Sequence, residues 1–281
     1  NVNLYVTGNA NTITASAGNT VTITGGGNTV NAASGDTINI SGNGTTGSTG
    51  GVDTVNMYSG TINVAANTDV LGNYDHNTIT AGDNDTLSIV GSSNTMTGGN
   101  SDTISINGSY NKATITGTGS VITLTGTGIS NTVTAGSGNT IKVTGNGQIT
   151  TGVDTLNATS DTVQIYTLSS AKVIGGSNTI STSTNDNLTV IGNGNTITAA
   201  AGNTITINGG GNTITAANGD TINISGNGTT GANGGIDTVN MYYGTINVAA
   251  YTDVKGNYSG NTINVANGDT IIVAGNANTV T

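Results

Sequence analysis

The chain has 281 residues, of which 33% are hydrophobic and 3% aromatic, and it contains 46 glycines but no Pro, Cys, Phe or Trp. Its 14 acidic and 4 basic residues give a formal net charge of −10, so we expect no nucleic-acid partner, because such partners require a basic surface. No apolar run of about 18 residues is present, and we therefore expect no membrane insertion. So little apolar material cannot fill a globular core, whereas a repeat fold with a narrow axial core needs no more.

A short unit recurs along the whole chain: a turn rich in Gly and Asn, then Asn or Asp, Thr, an aliphatic residue and a polar residue. Residues 192–224, GNGNTITAAAGNTITINGGGNTITAANGDTINI, hold four copies. These copies open at Asn195, Asn203, Asn212 and Asp220. In an extended chain Asn195, Ile197 and Ala199 point to one side and the two intervening threonines to the other. Each unit is therefore predicted to be a short strand with one buried face.

The same pattern predicts 31 strands, most of them 8 or 9 residues apart. Their central residues are, in the first third of the chain, Leu4, Ile13, Val21, Val30, Ile38, Val55, Ile62, Val70, Ile79, Leu87, Met96 and Ile104. The middle third continues with Ala113, Ile122, Val133, Ile141, Leu156, Val163, Ala171, Ile180 and Leu188. The last third adds Ile197, Ile205, Ile214, Ile222, Val239, Ile246, Val254, Ile263, Ile271 and Val280.

Matching residues at matching positions favour an all-β β-solenoid (a parallel β-helix) over a sandwich of hairpins. In a solenoid each coil stacks on the previous one about 4.8 Å away, so that Ile meets Ile and Asn meets Asn. A buried column of Asn is tolerated because the stacked amides hydrogen bond to one another. The spacing predicts two strands per coil and about 15 coils, with three strands per coil and about 10 coils as the alternative.

A longer repeat is superimposed on the short one, because residues 3–97 align without a gap with residues 187–281. We expect a single continuous solenoid over residues 1–281. Its super-repeats are predicted at roughly 1–97, 98–186 (divergent) and 187–281. Enlarged loops, expected to project at one corner, are predicted at 42–53 and 226–237, with a shorter relative at 145–154.

The segments GSGNTIKV, GNTITING and GDTINISG resemble the repeats of large secreted β-solenoid proteins of Gram-negative bacteria. These are adhesins, haemagglutinin-like proteins and biofilm-matrix proteins, and the resemblance covers essentially the whole chain. It implies a secreted protein of the bacterial cell surface or extracellular matrix.

The calcium-binding nonapeptide roll, GGxGxDxUx, is a related pattern that the chain does not follow. GGGNTI at residues 209–214 has Asn212 where the roll has a ligand Asp. The triplets GDT at Asp36, Asp220 and Asp269 are not on consecutive units, whereas a roll shares each Ca²⁺ between adjacent turns. We therefore expect no obligate calcium and no other cofactor.

We expect no catalytic site and no enzymatic activity. Glycoside hydrolysis needs two carboxyl groups about 5–9.5 Å apart, and this chain has no Glu or Arg while its Asp residues mostly occupy the Asn position of the repeat. Asp53, Asp154 and Asp237, which follow the enlarged loops, are expected to cap those loops. Asp75, Asp83 and Asp85, with His76 among them, are a candidate site for a weakly bound cation such as Ca²⁺, and a solvated turn is the alternative.

The outward threonines form a candidate interaction face. On alternate strands they recur as Thr-x-Thr or Thr-x-Asn, most regularly at Thr20, Thr22, Thr78, Thr80, Thr95, Thr97, Thr132, Thr134, Thr204 and Thr206. The array has three possible explanations. The β-propensity of threonine alone accounts for it, or it packs face to face with another rod. The third explanation is an ice-binding face, since the array resembles the ice-binding faces of antifreeze solenoids. The tyrosines near the enlarged loops either form a lateral contact or cover the core.

The terminal strands are the candidate assembly sites, through Leu4 and Val6 at one end and Val280 at the other. The sequence shows no polar cap at either end, and an uncapped coil invites the addition of another chain. Because a head-to-tail contact does not close, it produces a filament. We therefore expect a secreted bacterial structural protein that forms a homopolymer, with lateral bundling as a further option. The alternatives are a stalk segment of a giant repeat adhesin and an ice- or glycan-binding solenoid that uses the Thr/Asn face.

Overall fold

The computed structural model of the chain describes residues 1–42, 51–127, 129–145, 152–226 and 235–281. These residues form 31 strands and no helix, and each predicted strand is present around its predicted central residue. No helix long and apolar enough to cross a membrane occurs in them. The chain divides into two compact units, Asn1–Thr140 and Ile141–Thr281.

The strands are short and evenly distributed. Those of the first unit are β1 Asn3–Thr7, β2 Thr12–Thr14, β3 Thr20–Thr24, β4 Thr29–Asn31, β5 Thr37–Ser41, β6 Asp53–Tyr58, β7 Thr61–Val64, β8 Asp69–Asp75, β9 Thr78–Ala81, β10 Thr86–Val90, β11 Thr95–Gly98, β12 Thr103–Asn107, β13 Lys112–Ile115, β14 Val121–Thr125 and β15 Thr132–Ala135, and β16 Thr140–Val143 spans the boundary. Those of the second unit are β17 Asp154–Asn157, β18 Thr162–Ile165, β19 Ser170–Ile174, β20 Thr179–Thr182, β21 Asn187–Ile191, β22 Thr196–Ala199, β23 Thr204–Asn208, β24 Thr213–Ala216, β25 Thr221–Ser225, β26 Asp237–Tyr242, β27 Thr245–Val248, β28 Asp253–Ser259, β29 Thr262–Asn264, β30 Thr270–Ala274 and β31 Thr279–Val280.

Successive strands alternate between two parallel sheets. In the first unit the odd-numbered strands β1 to β15 neighbour one another in chain order, and the even-numbered strands β2 to β14 form the second sheet. The second unit repeats this arrangement with β17 to β31 and β18 to β30. Each turn therefore contains two strands, and the described strands make about 15 turns. The predicted β-solenoid with two strands per turn is confirmed, and the three-strand alternative is wrong.

The core is a narrow column of stacked aliphatic side chains. In the first unit Leu4, Val21 and Ile38 lie side by side on β1, β3 and β5. In the second unit Ile205 and Ile222 are paired in the same way on β23 and β25. Burying one such side chain contributes about 1.5–3 kcal/mol, so the repetition of one or two buried aliphatic residues per strand stabilises the fold turn by turn.

The two outer super-repeats have matching strands. For example, β5 and β25 both contain 5 residues, and β8 and β28 both contain 7. The division between the units falls after Thr140, inside the middle super-repeat and not at either predicted super-repeat boundary. A single continuous domain stays a prediction.

Much of each predicted enlarged loop lies outside the described residues, but the strands on either side are described. In the second unit the loop at 226–237 joins β25 to β26, whereas the loop at 145–154 joins β16 to β17. One connection runs from the odd-numbered to the even-numbered sheet and the other runs in the opposite sense. The course of the loops themselves lies largely outside the described residues, so the expectation that they project at one corner stays a prediction.

Candidate interaction surfaces and polar ladders

A column of buried polar side chains runs along each edge of the solenoid, at the position just before each strand. In the second unit the backbone N–H of Asn178 donates to Oδ1 of Asn195 at 3.0 Å, and the N–H of Asn195 donates to Oδ1 of Asn212 at 2.9 Å. The side-chain Nδ2 of Asn195 also donates to Oδ1 of Asn212, at 3.0 Å, and to the carbonyl of Gly175, at 3.2 Å. The predicted Asn ladder is present, but its recurring bond joins a backbone N–H to a side-chain oxygen. Because these groups are satisfied, burial of the asparagines is not penalised.

The ladders continue through most of the described chain. In the first unit, the ladder at one edge has two segments: Asn19 and Asp36, then Asn77, Asn94, Asn111 and Asn131. The ladder at the other edge has the segments Asn11, Asn28 and Asp53, then Thr68, Asp85, Asp102, Ser120 and Asn139. In the second unit, the ladder at one edge has the segments Ser169, Asp186, Asn203 and Asp220, then Asn261 and Asn278. The ladder at the other edge has the segments Asp161, Asn178, Asn195, Asn212 and Asp237, then Thr252 and Asp269. Asp53 and Asp237 are thus ladder members, and each accepts a backbone N–H from the turn before its enlarged loop. The prediction that they cap these loops did not include this role.

The ladder aspartates differ from the asparagines in how they bond to their own turn. Asp36 accepts the N–H of Ala33 through Oδ2 at 2.9 Å, and Asp220 accepts the N–H of Ala217 at the same distance. Asn139 instead donates Nδ2 to the carbonyl of the residue three positions earlier, at 2.9 Å. The choice between Asp and Asn therefore matches the polarity of the backbone group that the turn presents.

Most of the negative charge of the protein is inside it. Of the 14 acidic residues, the buried ones are Asp36, Asp53, Asp69, Asp85, Asp102, Asp154, Asp161, Asp186, Asp220, Asp237 and Asp253. Only Asp75, Asp83 and Asp269 are exposed or half-buried. The net charge therefore does not describe the surface, and the prediction of no nucleic-acid partner depends on the scarcity of basic side chains.

Two ladder carboxyl groups have a buried oxygen, Oδ2, without a hydrogen-bond partner: those of Asp85 and Asp186. Burial raises the pKa of Asp85 to about 6, and the charge of Asp102 in the next turn adds to the rise while the hydrogen bond from Thr68 opposes it. Burial likewise raises the pKa of Asp186 to about 6. The N–H of Gly82 also lowers the pKa of Asp85, but this N–H bonds at 3.0 Å to a carbonyl of the preceding turn. Both carboxyl groups therefore take up a proton at mildly acidic pH.

The structure does not assemble the predicted cation site. Asp75 ends β8, and its Oδ1 accepts the N–H of Ser92 at 2.6 Å. Asp83 and Asp85 lie in the connection between β9 and β10, where Asp83 accepts the N–H of Asn100 at 2.7 Å and Asp85 points inward. That bond from Asn100 lowers the pKa of Asp83. The described residues contain no group of three or more His, Cys, Asp or Glu side chains arranged to hold a metal ion.

The predicted Thr face is the outer surface of the odd-numbered sheet. Its ten threonines lie on β3, β9, β11 and β15 in the first unit and on β23 in the second. In the first unit Thr61, Thr78 and Thr95 form one outward column, and Lys112 continues it. In the second unit, however, Thr196 and Thr213 also stack on the even-numbered sheet. The threonine array is therefore not confined to one face, and rod packing and ice binding both stay predictions.

The outward asparagines form ladders of their own, which the sequence pattern did not indicate. In the first unit Asn63 donates Nδ2 to Oδ1 of Asn39 at 2.8 Å. In the second unit Asn264 donates to Asn247 at 2.6 Å, and Asn247 donates to Asn223 at 2.7 Å. These side-chain amides are partly hydrogen bonded between turns of the solenoid. The Asn positions therefore form a hydrogen-bonded column on the surface and do not simply interrupt the column of threonines.

The tyrosines of the second unit do not form a single patch. Tyr258 is buried, at 1% exposure, and burial raises the pKa of its hydroxyl, which has no hydrogen-bond partner in the described structure. Tyr243 and Tyr251 are exposed and follow β26 and β27, so they lie at opposite edges of this unit. Their rings lie against Gly260 and Gly268 of the next turn. Tyr258 therefore covers the core, whereas Tyr243 and Tyr251 cover opposite edges.

The outermost turns expose apolar side chains that the inner turns bury. Leu4 is 40% exposed and Val280 is 54% exposed, whereas the equivalent inward residues Val21 and Ile263 are each 1% exposed. Val6, the third predicted assembly residue, is half-buried. A hollow at this end of the first unit is lined by Val2, Leu4, Thr14, Ala15, Ser16, Asn19 and Val21. In the described chain β1 pairs only with β3 and β31 only with β29, which leaves one edge of each strand open.

No protein-family model matches the chain, and comparisons with curated proteins and with solved structures find no match. The resemblance of its repeats to secreted bacterial solenoid proteins is therefore carried by the motifs alone. The surfaces and open edges described above are the features from which a function can be inferred.

Proposed function

We propose that this chain is a non-enzymatic structural protein whose solenoid is extended by further copies stacked on its outermost strands. The supporting observation is the exposure of Leu4 and Val280, which occupy positions that every inner turn buries. An open strand edge with inward apolar side chains is completed by another strand of the same kind. A further turn of this repeat supplies both the hydrogen bonds and the apolar contacts.

A second copy continues the register of the inner turns. When Val280 of one copy lies beside Leu4 of the next, both side chains point inward, as Leu4 and Val21 do within one chain. Strand β31 then continues the odd-numbered sheet into β1, and β30 continues the even-numbered sheet into β2. Because the contact joins two different surfaces, it repeats without closing and produces a filament.

The bacterial cell surface or extracellular matrix is the proposed location of these filaments, on the basis of the motif resemblance. The flat Thr/Asn outer faces are the proposed surfaces for lateral bundling. In a giant adhesin the additional turns would follow in the same polypeptide. This stalk version differs from the filament version in one observable: whether the 281-residue chain assembles by itself.

Substitutions at the open edges test the proposal. Leu4→Lys and Val280→Lys each place a charge at a position that stacking would bury, and burying an unpaired charge costs several kcal/mol. We expect each variant to remain monomeric in sedimentation velocity at concentrations where the wild-type chain assembles. When mixed with wild-type protein, each should shorten the filaments, since each retains one competent end.

Tyr5→Lys is the matched control, because Tyr5 lies on the same strand as Leu4 but points outward and is 75% exposed. This variant should assemble like the wild type. A wild-type chain that stays monomeric at all concentrations would contradict the proposed filament assembly and would favour the stalk of a giant adhesin. Assembly of Leu4→Lys to the wild-type extent would show that the contact lies elsewhere.

A further inference from the structure

The ladders contain two positions at which the hydrogen bonding of the turn is incomplete. At Asp36 and Asp220 the carboxyl group accepts a backbone N–H through Oδ2, and Asn139 donates Nδ2 to the backbone carbonyl three residues earlier. At Asp85 and Asp186 the corresponding N–H groups, of Gly82 and Ser183, lower the pKa of the carboxyl group but bond to carbonyls of the preceding turn, and Oδ2 of each carboxyl is buried without a partner. A buried acceptor without a donor costs about 1–3 kcal/mol, and more when it is charged.

We propose that Asp85 and Asp186 are proton-binding sites that make the solenoid more stable in mildly acidic solution than at neutral pH. A proton on Oδ2 converts the carboxylate into a donor, and the carboxyl group then resembles the asparagine amide found at equivalent positions. Protonation removes the negative charge from an oxygen that is buried without a donor in both turns.

The surroundings of Asp85 also favour the neutral form. Asp83 lies on the same connection, Asp102 stacks in the following turn, and Asp69 follows Thr68 in the preceding turn. All of the charged neighbours are therefore acidic. The hydroxyl of Thr68, whose N–H bonds to Asp85, is buried without a partner as well.

Asp186 in the second unit has neutral ladder neighbours. Ser169 donates its N–H to Oδ1 of Asp186 at 2.9 Å, and Asp186 donates its own N–H to Asn203 at 2.7 Å. The hydroxyl of Thr182, in the same connection, is buried without a partner. Here burial alone disfavours the charged form, so the same chemistry arises from a different environment.

The direction of the pH effect follows from linkage. Below about pH 4 these groups are protonated in both the folded and the unfolded chain, and above about pH 6 they are ionised in both. Between these values the folded chain retains protons that the unfolded chain has released, so stability falls as the pH rises through this window. Each group changes the unfolding equilibrium by at most about 100-fold, reduced by solvent screening because the ladder lies close to the surface.

Urea unfolding at about pH 4.5 and about pH 7 tests the proposal. In a Leu4→Lys background, which separates the result from any assembly, the parent should show a higher urea midpoint at the acidic pH. The double variant Asp85→Asn, Asp186→Asn carries the amide that the protonated acid imitates. We expect its midpoint at neutral pH to rise toward the acidic value of the parent, and the difference between the two pH values to shrink.

Asp36→Asn is the matched control, because both oxygens of Asp36 already accept backbone N–H groups, at 2.8 and 2.9 Å. This variant places an amide donor against the N–H of Ala33, so its midpoint should fall at both pH values while the difference between them remains. A double variant that keeps the full pH dependence of the parent would overturn the proposal, as would a parent that is no more stable in acid.

Discussion

A buried asparagine is stable in this solenoid because the neighbouring turns use its polar groups. Asn195 accepts from the backbone and side chain of Asn178 at 3.0 and 3.1 Å, and its own two donors reach Asn212. Bonds between turns replace the bonds to water that burial removes. The ladder position is consequently the polar position of each unit that is least tolerant of substitution.

Asn195→Ala should destabilise the fold by about 2–4 kcal/mol, since it leaves the N–H of Asn178 buried without an acceptor and opens a small cavity. Chemical denaturation measures this loss. Thr196→Ala, which changes the next residue on the exposed face, should stay within about 0.5 kcal/mol of the wild type. Equal losses in the two variants would refute the role assigned to the ladder.

The periodicity of the sequence predicted which Asp and Asn residues occupy ladder positions, because that assignment depends only on alternation. It could not predict the unpartnered oxygens of Asp85 and Asp186, since these depend on how the backbone N–H groups of each turn are oriented. The candidate grouping of Asp75 with Asp83 and Asp85 joins residues on either side of β9. Residues close in sequence lie at opposite edges when a strand separates them.

Stacked glycines set how closely adjacent turns approach. Gly175, Gly192 and Gly209 follow one another at one corner of the second unit, each with a φ between 133° and 146°. A Cβ on Gly192 or Gly209 would overlap the carbonyl group of the glycine in the turn before it. This corner therefore needs glycine for both its backbone conformation and its spacing.

Gly192→Ala should cost about 3–5 kcal/mol, because the clash involves backbone atoms that cannot rotate away. Gly219 provides the control: its φ of 81° is also left-handed, but an added Cβ there meets no atom within 4 Å. Gly219→Ala should cost only about 1–2 kcal/mol for the backbone conformation. Thermal unfolding of the two variants separates spacing from conformation, and similar losses would contradict the account.

The ladder shifts by two residues after the enlarged loop in each outer super-repeat. In the first unit Asp53 completes one ladder, but the next strand places Val70 beside it, and a new ladder begins at Thr68. In the second unit Asp237 and Val254 are paired in the same way. A two-residue shift keeps every side chain on its face, so the sequence pattern could not reveal it.

At the scale of the whole molecule, each unit is stabilised by repetition: most strands bury one or two aliphatic residues, follow a ladder side chain and present polar side chains outward. The all-β class, the 31 strands and the two strands per turn followed from the sequence because all three depend on local periodicity. The edges at which the loops at 145–154 and 226–237 leave the second unit did not follow from it. They depend on which sheet each neighbouring strand joins, and a local pattern is the same for both sheets.

Electron microscopy of the purified wild-type chain tests the proposed stacking most directly. We predict unbranched filaments of uniform width that grow with concentration, and diffraction from aligned filaments should show a spacing of about 4.8 Å along the axis, because the strands stack in that direction. Separate particles at every concentration would contradict the claim that copies of this chain complete one another's open edges.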